Sequence, residues 1–265
     1  DTSQDGSRYA GTAMGTPGND TLDFSANAGT VVAYGGGGND TLRGSQAADQ
    51  LAGGSGNDQV FGLGGNDHLY GDSGFNVSLT VIKDANDAAV VSRLLTVVTA
   101  DASGAAAGDS LVAGTDTLDG GAGDDIVLGD HGVIALSAGA TRLLDASLVL
   151  SVAGVQFTNG AADSLLDGEG RDILIGGAGG DTIDAGAGND LVFGDQGQWE
   201  VAWATFTSLN ADATTGAGDD TVRAGAGDDV VLGGQGNDLI YGDDGDDDLI
   251  GGHNVAGGLD GADRI

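Results

Sequence analysis

Residues 53–74 read GGSGNDQVFGLGGNDHLYGDSG, and within this stretch the phrase G-x-x-G-N-D occurs twice, nine residues apart. When the acid of the phrase is numbered position 6, sixteen units of the chain carry Asp there and an aliphatic residue at position 8. The sixteen acids are Asp20, Asp40, Asp49, Asp58, Asp67, Asp116, Asp125, Asp163, Asp172, Asp181, Asp190, Asp220, Asp229, Asp238, Asp247 and Asp263. Sixteen units in one phase do not arise by chance, so the nonapeptide is the structural unit.

Each unit combines six turn-prone residues with three residues that suit a strand, of which the middle one is apolar. Side chains alternate across a strand, so the residue at position 8 points inward and its two neighbours point outward. A unit is therefore half a coil, and two units close one coil of a flattened solenoid. The pattern predicts an all-β protein in which equivalent turns stack every eighteen residues.

Composition limits what this repeat can do. The chain has 265 residues, with 53 Gly, one Pro, no Cys and 41 acidic side chains, and its formal net charge is −33. A charge of this size disfavours nucleic acid as a partner, since phosphates would be repelled along the whole surface. No apolar run approaches the ~18 residues that a membrane span requires. The lack of Cys excludes disulfides and thiolate metal sites.

The pattern G-G-x-G-x-D-x-U-x resembles that of the hemolysin-type, or RTX, calcium-binding family over roughly two-thirds of the chain. The resemblance implies a right-handed parallel β-roll that binds multiple Ca²⁺ ions and folds on binding them. The charge gives a physical reason, because stacked turns bring like carboxylates close together and a hard divalent cation reverses their repulsion. Metal binding of this kind contributes directly to folding.

Position-6 carboxylates eighteen residues apart are the predicted calcium ligands. The alternative is that these acids only initiate turns, for which Asp is common. The six pairs are Asp40 with Asp58, Asp49 with Asp67, Asp163 with Asp181, Asp172 with Asp190, Asp220 with Asp238, and Asp229 with Asp247. Across the longer gaps we expect Asp67 to meet Asp116 and Asp125 to meet Asp163.

The repeats are interrupted three times, each time after a G-D-x-G tetrapeptide whose position 6 is not acidic. Our hypothesis is that Asp72, Asp130 and Asp195 at position 2 of these turns bring a carboxylate into the calcium row in place of the lost one. The alternative is that each merely caps its turn. A fourth copy of the tetrapeptide contains Asp243, also a predicted ligand, and there the repeat continues through Asp247.

The segments after the tetrapeptides alternate apolar and polar residues and predict β-hairpins. We therefore divide residues 1–265, as one continuous array, into roll blocks separated by hairpin insertions. The roll blocks are 15–76, 108–132, 158–198 and 215–265, and the insertions are 77–107, 133–157 and 199–214. The last block fits a repeat cut in mid-unit, so we expect the natural chain to continue.

The strands just before the second and third insertions are apolar on both faces. Ile126, Leu128, Leu191 and Phe193 would point outward from a bare roll, and contiguous apolar surface usually marks a contact. We predict that the hairpins fold over this face or that another chain covers it.

Catalytic motifs such as G-x-S-x-G, H-E-x-x-H and the P-loop are missing from the sequence, which predicts that the chain is not an enzyme. Three interpretations of function remain. The first is a calcium-stabilised rod or stalk of a large secreted bacterial surface protein, adhesin or filament. The second is the carboxy-terminal roll of a type I-secreted enzyme such as a protease or lipase, and the third is a calcium buffer. We expect the chain to be secreted and to lie outside the bacterial cell or at its surface. Its expected partners are calcium ions, with self-association or a surface partner through the hairpins and the outer apolar face.

Overall fold

The computed structural model describes residues 12–72, 78–83, 89–95, 112–137, 149–155, 157–200, 205–209, 216–257 and 260–265. In these ranges the chain forms 23 β-strands, numbered β1 to β23 in chain order, and no α-helix. Within the same ranges, accordingly, no helix has the length and apolar character to cross a membrane. The all-β fold class expected from the repeat is confirmed.

Two parallel sheets face each other and form the roll. The nine-stranded sheet contains, in spatial order, β1 (Thr12–Met14), β3 (Val32–Gly37), β5 (Gln50–Ser55), β7 (His68–Tyr70), β11 (Ile126–Leu128), β15 (Ile173–Ile175), β17 (Leu191–Phe193), β21 (Val230–Leu232) and β23 (Asp248–Ile250). The eight-stranded sheet contains β2 (Thr21–Asp23), β4 (Thr41–Arg43), β6 (Gln59–Phe61), β10 (Thr117–Asp119), β14 (Ser164–Leu166), β16 (Thr182–Asp184), β20 (Thr221–Ala226) and β22 (Leu239–Asp244).

The aliphatic residues at position 8 form the core between the two sheets. Neighbouring strands pair so that like positions stand directly opposite each other, as Leu42 does with Val60 and Leu118 with Leu165. Most of these side chains are fully buried in one continuous cluster. The inward aliphatic column that the sequence predicts is therefore the interior of the roll.

A third sheet is built from the inserted segments, together with Gly132, Gly197 and Gln198 just before the second and third of them. It is antiparallel and has the order β19-β18-β13-β12-β9-β8. Its strands are β8 (Ser78–Lys83), β9 (Ala89–Leu95), β12 (Gly132–Ser137), β13 (Val149–Gly154), β18 (Gly197–Glu200) and β19 (Thr205–Ser208). Each insertion contributes one antiparallel pair, and contacts between β9 and β12 and between β13 and β18 join the three pairs. The sequence predicts three hairpins but not their union into one sheet.

This third sheet covers the outer face of the nine-stranded sheet. Ile134, Val149 and Val152 from the third sheet are buried in one cluster with Leu128 and Phe193 of the roll. Of the two predicted ways to cover the apolar strands, the structure shows the first, in which the hairpins fold over them.

The tetrapeptide G-D-x-G differs from a regular turn in two ways. In many regular turns position 2 has a left-handed backbone, with φ of 108° at Gly36 and 114° at Gly177, whereas Asp72, Asp130 and Asp195 are not among the positive-φ residues. Ser45 and Gly168 are not among them either although their turns continue, so this difference does not by itself redirect the chain. The Gly that ends the second and third copies then lies against a roll side chain, because a Cβ on Gly132 would overlap Leu128 and one on Gly197 would overlap Phe193.

The fourth copy of the tetrapeptide does not interrupt the repeat. Asp243 keeps the left-handed conformation, with φ of 63°, which Asp tolerates better than most residues. The chain therefore follows the regular turn there and the repeat continues.

Each insertion lies inside one turn, between position 2 and position 4, and the same turn resumes after it. Backbone pairing across the first gap joins β6 to β10 and β7 to β11, and across the second it joins β10 to β14 and β11 to β15. The expected contacts of Asp67 with Asp116 and of Asp125 with Asp163 are both wrong. Asp67 meets Asp125, Asp116 meets Asp163, and Asp125 meets Asp172. The expectation counted the interrupted turn and the turn after the insertion as two units. They are one unit, so the acid that follows each insertion belongs to the other row.

A pair of adjacent leucines tests the core. Leu165 is fully buried and Leu166 is 39% exposed. In saturating calcium, Leu165→Ala is expected to lower the free energy of unfolding by about 2–5 kcal/mol, because it leaves a cavity between the sheets. Leu166→Ala, the control, is expected to change it by less than about 1 kcal/mol. Urea unfolding followed by circular dichroism measures both, and equal losses would contradict the described core.

Candidate metal centre

The position-6 carboxylates form two rows, one along each edge of the roll. The first row precedes the strands of the eight-stranded sheet, and the second row precedes those of the nine-stranded sheet. The first row is Asp20, Asp40, Asp58, Asp116, Asp163, Asp181, Asp220, Asp238 and Asp263. The second row is Asp49, Asp67, Asp125, Asp172, Asp190, Asp229 and Asp247.

One carboxylate oxygen of each acid ties it to the preceding turn. The backbone N–H of each Asp donates to Oδ1 of the next Asp in its row, with N···O distances between 2.6 and 3.1 Å. The structure thus brings together all six pairs predicted from the eighteen-residue spacing, and the bond also bridges the insertions, as from Asp58 to Asp116.

Position 5 supplies a second ladder of opposite direction. The N–H of Asn57 donates to the side-chain oxygen of Asn39 in the preceding turn, and the N–H of Asp124 donates likewise to Asn66. Because one ladder points up the stack and the other points down, each turn is held to both of its neighbours. This holds the carboxylates of a row in register.

The second oxygen of most row carboxylates is buried and has no hydrogen-bond partner. This holds for Oδ2 of Asp67, Asp116, Asp125, Asp163, Asp172, Asp181, Asp190, Asp220, Asp229 and Asp238. A buried polar atom without a partner is costly, and a charged one is more so. A hard divalent cation with oxygen ligands satisfies several such atoms at once. The residues present therefore fit Ca²⁺, which would supply positive charge between successive turns.

The electrostatics agree with this assignment. Burial raises the pKa of Asp67 to about 8, with the neighbouring carboxylate of Asp125 as the next cause. Burial likewise raises the pKa of Asp220 to about 10, followed by the effect of Asp181 and Asp195. Carboxylates of this kind stay ionised at neutral pH only if a cation lies beside them.

The first acidic turn of each row has a protein partner on its outer side. Oδ2 of Asp20 accepts from the N–H and the hydroxyl of Thr16, at 2.6 and 2.8 Å. Oδ2 of Asp49 accepts from the N–H of Ser45 at 2.5 Å. Within the described residues no acidic turn of the same row precedes Asp20 or Asp49, and in both turns a hydroxyl residue at position 2 takes the place of a further carboxylate beside the first acid.

The acids of the insertion turns point inward. Asp72, Asp130 and Asp195 are buried, and Oδ1 of Asp72 accepts from the N–H of Gly114 at 2.8 Å. Burial, followed by the neighbouring Asp116, raises the pKa of Asp72 to about 10. These acids lie beside the first row, as expected, but they do not replace a missing position-6 carboxylate. Position 6 of each interrupted turn is supplied after the insertion, by Asp116, Asp163 and Asp220, so the three acids add a carboxylate.

Asp243 lies elsewhere. It is exposed and forms an ion pair with Arg223 at 3.1 Å, and Arg223 also stacks on the ring of Tyr241. Its carboxylate is engaged by Arg223 instead of facing a row, which differs from the prediction that it is a ligand.

Sequence reasoning missed Asp167. Its carboxylate lies with those of Asp125 and Asp172, and one oxygen of each is within 4.8 Å of the others. The signal was available, because Asp167 occupies position 1 of its unit, where Gly is usual.

The raised pKa values predict how the metal-free chain responds to pH. The pKa in the folded chain is about 6 for Asp190 and Asp238 and about 8 for Asp67 and Asp181, against about 4 when unfolded. Their contribution to stability is complete below pH ~4 and is lost as the pH rises through the folded values. In calcium-free buffer we expect the strand signal in circular dichroism to grow as the pH falls from 8 to 4.

Saturating calcium is the control for this titration. Calcium stabilises the ionised carboxylates, so acid is then expected to weaken the strand signal instead of strengthening it. A calcium-free strand signal that is independent of pH would contradict the burial of the rows.

Comparison with known proteins bears on which ion these rows hold. The family model for the RTX calcium-binding nonapeptide repeat matches residues 14–51, 43–77, 112–132, 158–198 and 214–249. Comparison with curated proteins gives no significant match. The family match covers more than half of the chain and spans both rows of carboxylates. The protein therefore belongs to the RTX calcium-binding nonapeptide-repeat family and takes multiple Ca²⁺ ions as its cofactor.

Proposed function

We propose that this chain is a calcium-dependent structural segment, a rod or stalk, of a large secreted bacterial surface protein, adhesin or filament, and that it folds outside the cell. The observation that carries the proposal is the sheet formed by the insertions, which packs on the outer face of the nine-stranded sheet and buries apolar side chains such as Leu128 and Phe193. A roll that only assists the folding of an attached enzyme has no need of this second layer.

The ions are held, in this proposal, between successive turns by the carboxylates of the two rows. Asp72, Asp130 and Asp195 add ligands at the three turns from which the insertions depart. Their position is significant because the same turns carry both the ion-binding acids and the strands of the third sheet. Calcium would then fix the base of every insertion as well as the roll.

Secretion fits the dependence on calcium. Without cations the repulsion within the rows opposes folding, so the chain would stay unfolded at the low free calcium of a bacterial cytoplasm. Extracellular calcium modules commonly have dissociation constants of order 10⁻⁴–10⁻³ M, which would let the roll fold only after export. We place the protein at the cell surface or in the extracellular medium on these grounds.

The covered face narrows the choice of partner surfaces. The apolar residues of the nine-stranded sheet lie beneath the third sheet, so self-association through them is not part of the proposal. The outer face of the eight-stranded sheet stays open in the described roll and has a column of mostly hydroxyl side chains in register: Thr21, Thr41, Gln59, Thr117, Ser164, Thr182 and Thr221.

Single-molecule pulling of the chain between its two ends tests the structural role. In millimolar calcium we expect one cooperative unfolding event, because the third sheet joins insertions from different coils and prevents them from peeling apart singly. In chelator we expect extension without a force peak. Coil-by-coil detachment at low force in calcium would contradict the proposed role as a rod or stalk, although it would leave the assignment of calcium binding intact.

A further inference from the structure

Asp167 differs from every other residue at its repeat position. Among the sixteen units it provides the single acid at position 1. The equivalent residue is Gly120 in the preceding coil and Ala185 in the following one. Position 1 comes just before the turn, so an acid there adds a carboxylate to a site that already has one from each of two successive turns.

The surroundings of Asp167 form a built site. Asp125 and Asp172 are 1% exposed, and Oδ2 of each is buried without a hydrogen-bond partner. Oδ1 of Asp167 accepts from the N–H of Gly168 at 2.9 Å, while its Oδ2 is likewise buried without a partner. One oxygen of each of these three carboxylates lies within 4.8 Å of the others.

Gly120 makes room for this convergence. A Cβ at Gly120 would lie 2.6 and 2.7 Å from the two carboxylate oxygens of Asp167 and 2.8 Å from Oδ2 of Asp125. The backbone of Gly120 therefore lies directly against the carboxylates of Asp167 and Asp125. A larger residue there would push Asp167 away from its neighbours.

The charges at this place require a cation. Burial raises the pKa of Asp167 to about 10, and the carboxylates of Asp172 and Asp125 are the next causes. Asp72, Asp130 and Asp195 also add a carboxylate to their turns, but among the described residues only Asp125, Asp167 and Asp172 form a group in which one oxygen of each lies within 4.8 Å of the others. These three therefore repel one another more than the two carboxylates of an ordinary row site. Ca²⁺ removes the repulsion and satisfies the free oxygens, and calcium affinity rises with the number of charged ligands.

We propose that Asp167, Asp125 and Asp172 form a three-carboxylate calcium site that is the tightest in the described roll and the first to fill. This inference rests on the row carboxylates being calcium ligands. The site joins two coils that are 47 residues apart in sequence and between which the second insertion departs. Filling it first closes the gap that the second insertion leaves in this row, so it brings the two central coils together early in folding.

The test compares Asp167→Asn with Asp184→Asn. Both remove one negative charge without changing side-chain size, and Asp184 lies on β16 of the eight-stranded sheet, outside the turns. Calcium binding is measured by competition with a fluorescent chelator and by isothermal titration calorimetry. We expect Asp167→Asn to weaken the tightest class of site by about tenfold or more and to raise the calcium concentration at the folding midpoint. Asp184→Asn is expected to change neither.

An unchanged tightest class in Asp167→Asn would overturn the inference, and the rows would remain calcium sites. Failure of the wild-type chain to bind calcium would instead overturn the assignment of the rows. Circular dichroism in saturating calcium checks that the variant folds. If it does not, Asp167→Gly, which restores the usual residue of position 1, gives the same measurement with the same two outcomes.

Discussion

Repulsion between stacked carboxylates is the constraint on which the rest of this structure depends. The eighteen-residue period puts one Asp of each row above another at about the spacing of strands in a sheet, ~4.8 Å. Two unit charges at that distance repel by roughly 3–4 kcal/mol at an effective dielectric constant of ~20. The backbone N–H of each Asp stabilises one oxygen of its neighbour, whereas the other oxygen is left buried for an ion. Calcium is therefore part of the fold.

The insertions leave both rows of carboxylates complete. Each departs after position 2 of a first-row turn and returns before position 6 of the same turn, so neither row loses an acid. Because all three depart on the same side, their strands come together over one face. There they form a single sheet that buries the apolar side chains of β11 and β17. The position of the insertions thus preserves the ion rows and also creates the second hydrophobic cluster.

The repeat itself was predictable because its signals are local. Asp at position 6 and an aliphatic residue such as Leu165 at position 8 recur in phase, and both the core and the neighbouring acids follow from counting residues. The pairing across insertions was not predictable by counting, because Asp72 and Asp243 share the same tetrapeptide. They differ in backbone conformation, and the regular turn continues only through Asp243. The union of the hairpins depends on contacts between distant segments, and Asp167 required the stacking of two coils to be known.

Anomalous X-ray diffraction from crystals of the calcium-saturated chain tests the central claim most directly. The account predicts peaks along both edges of the roll, each within about 2.3–2.6 Å of the Oδ2 atoms of successive row acids, such as Asp172 and Asp190. Peaks confined to exposed surface carboxylates, with the buried Oδ2 atoms unligated, would contradict it.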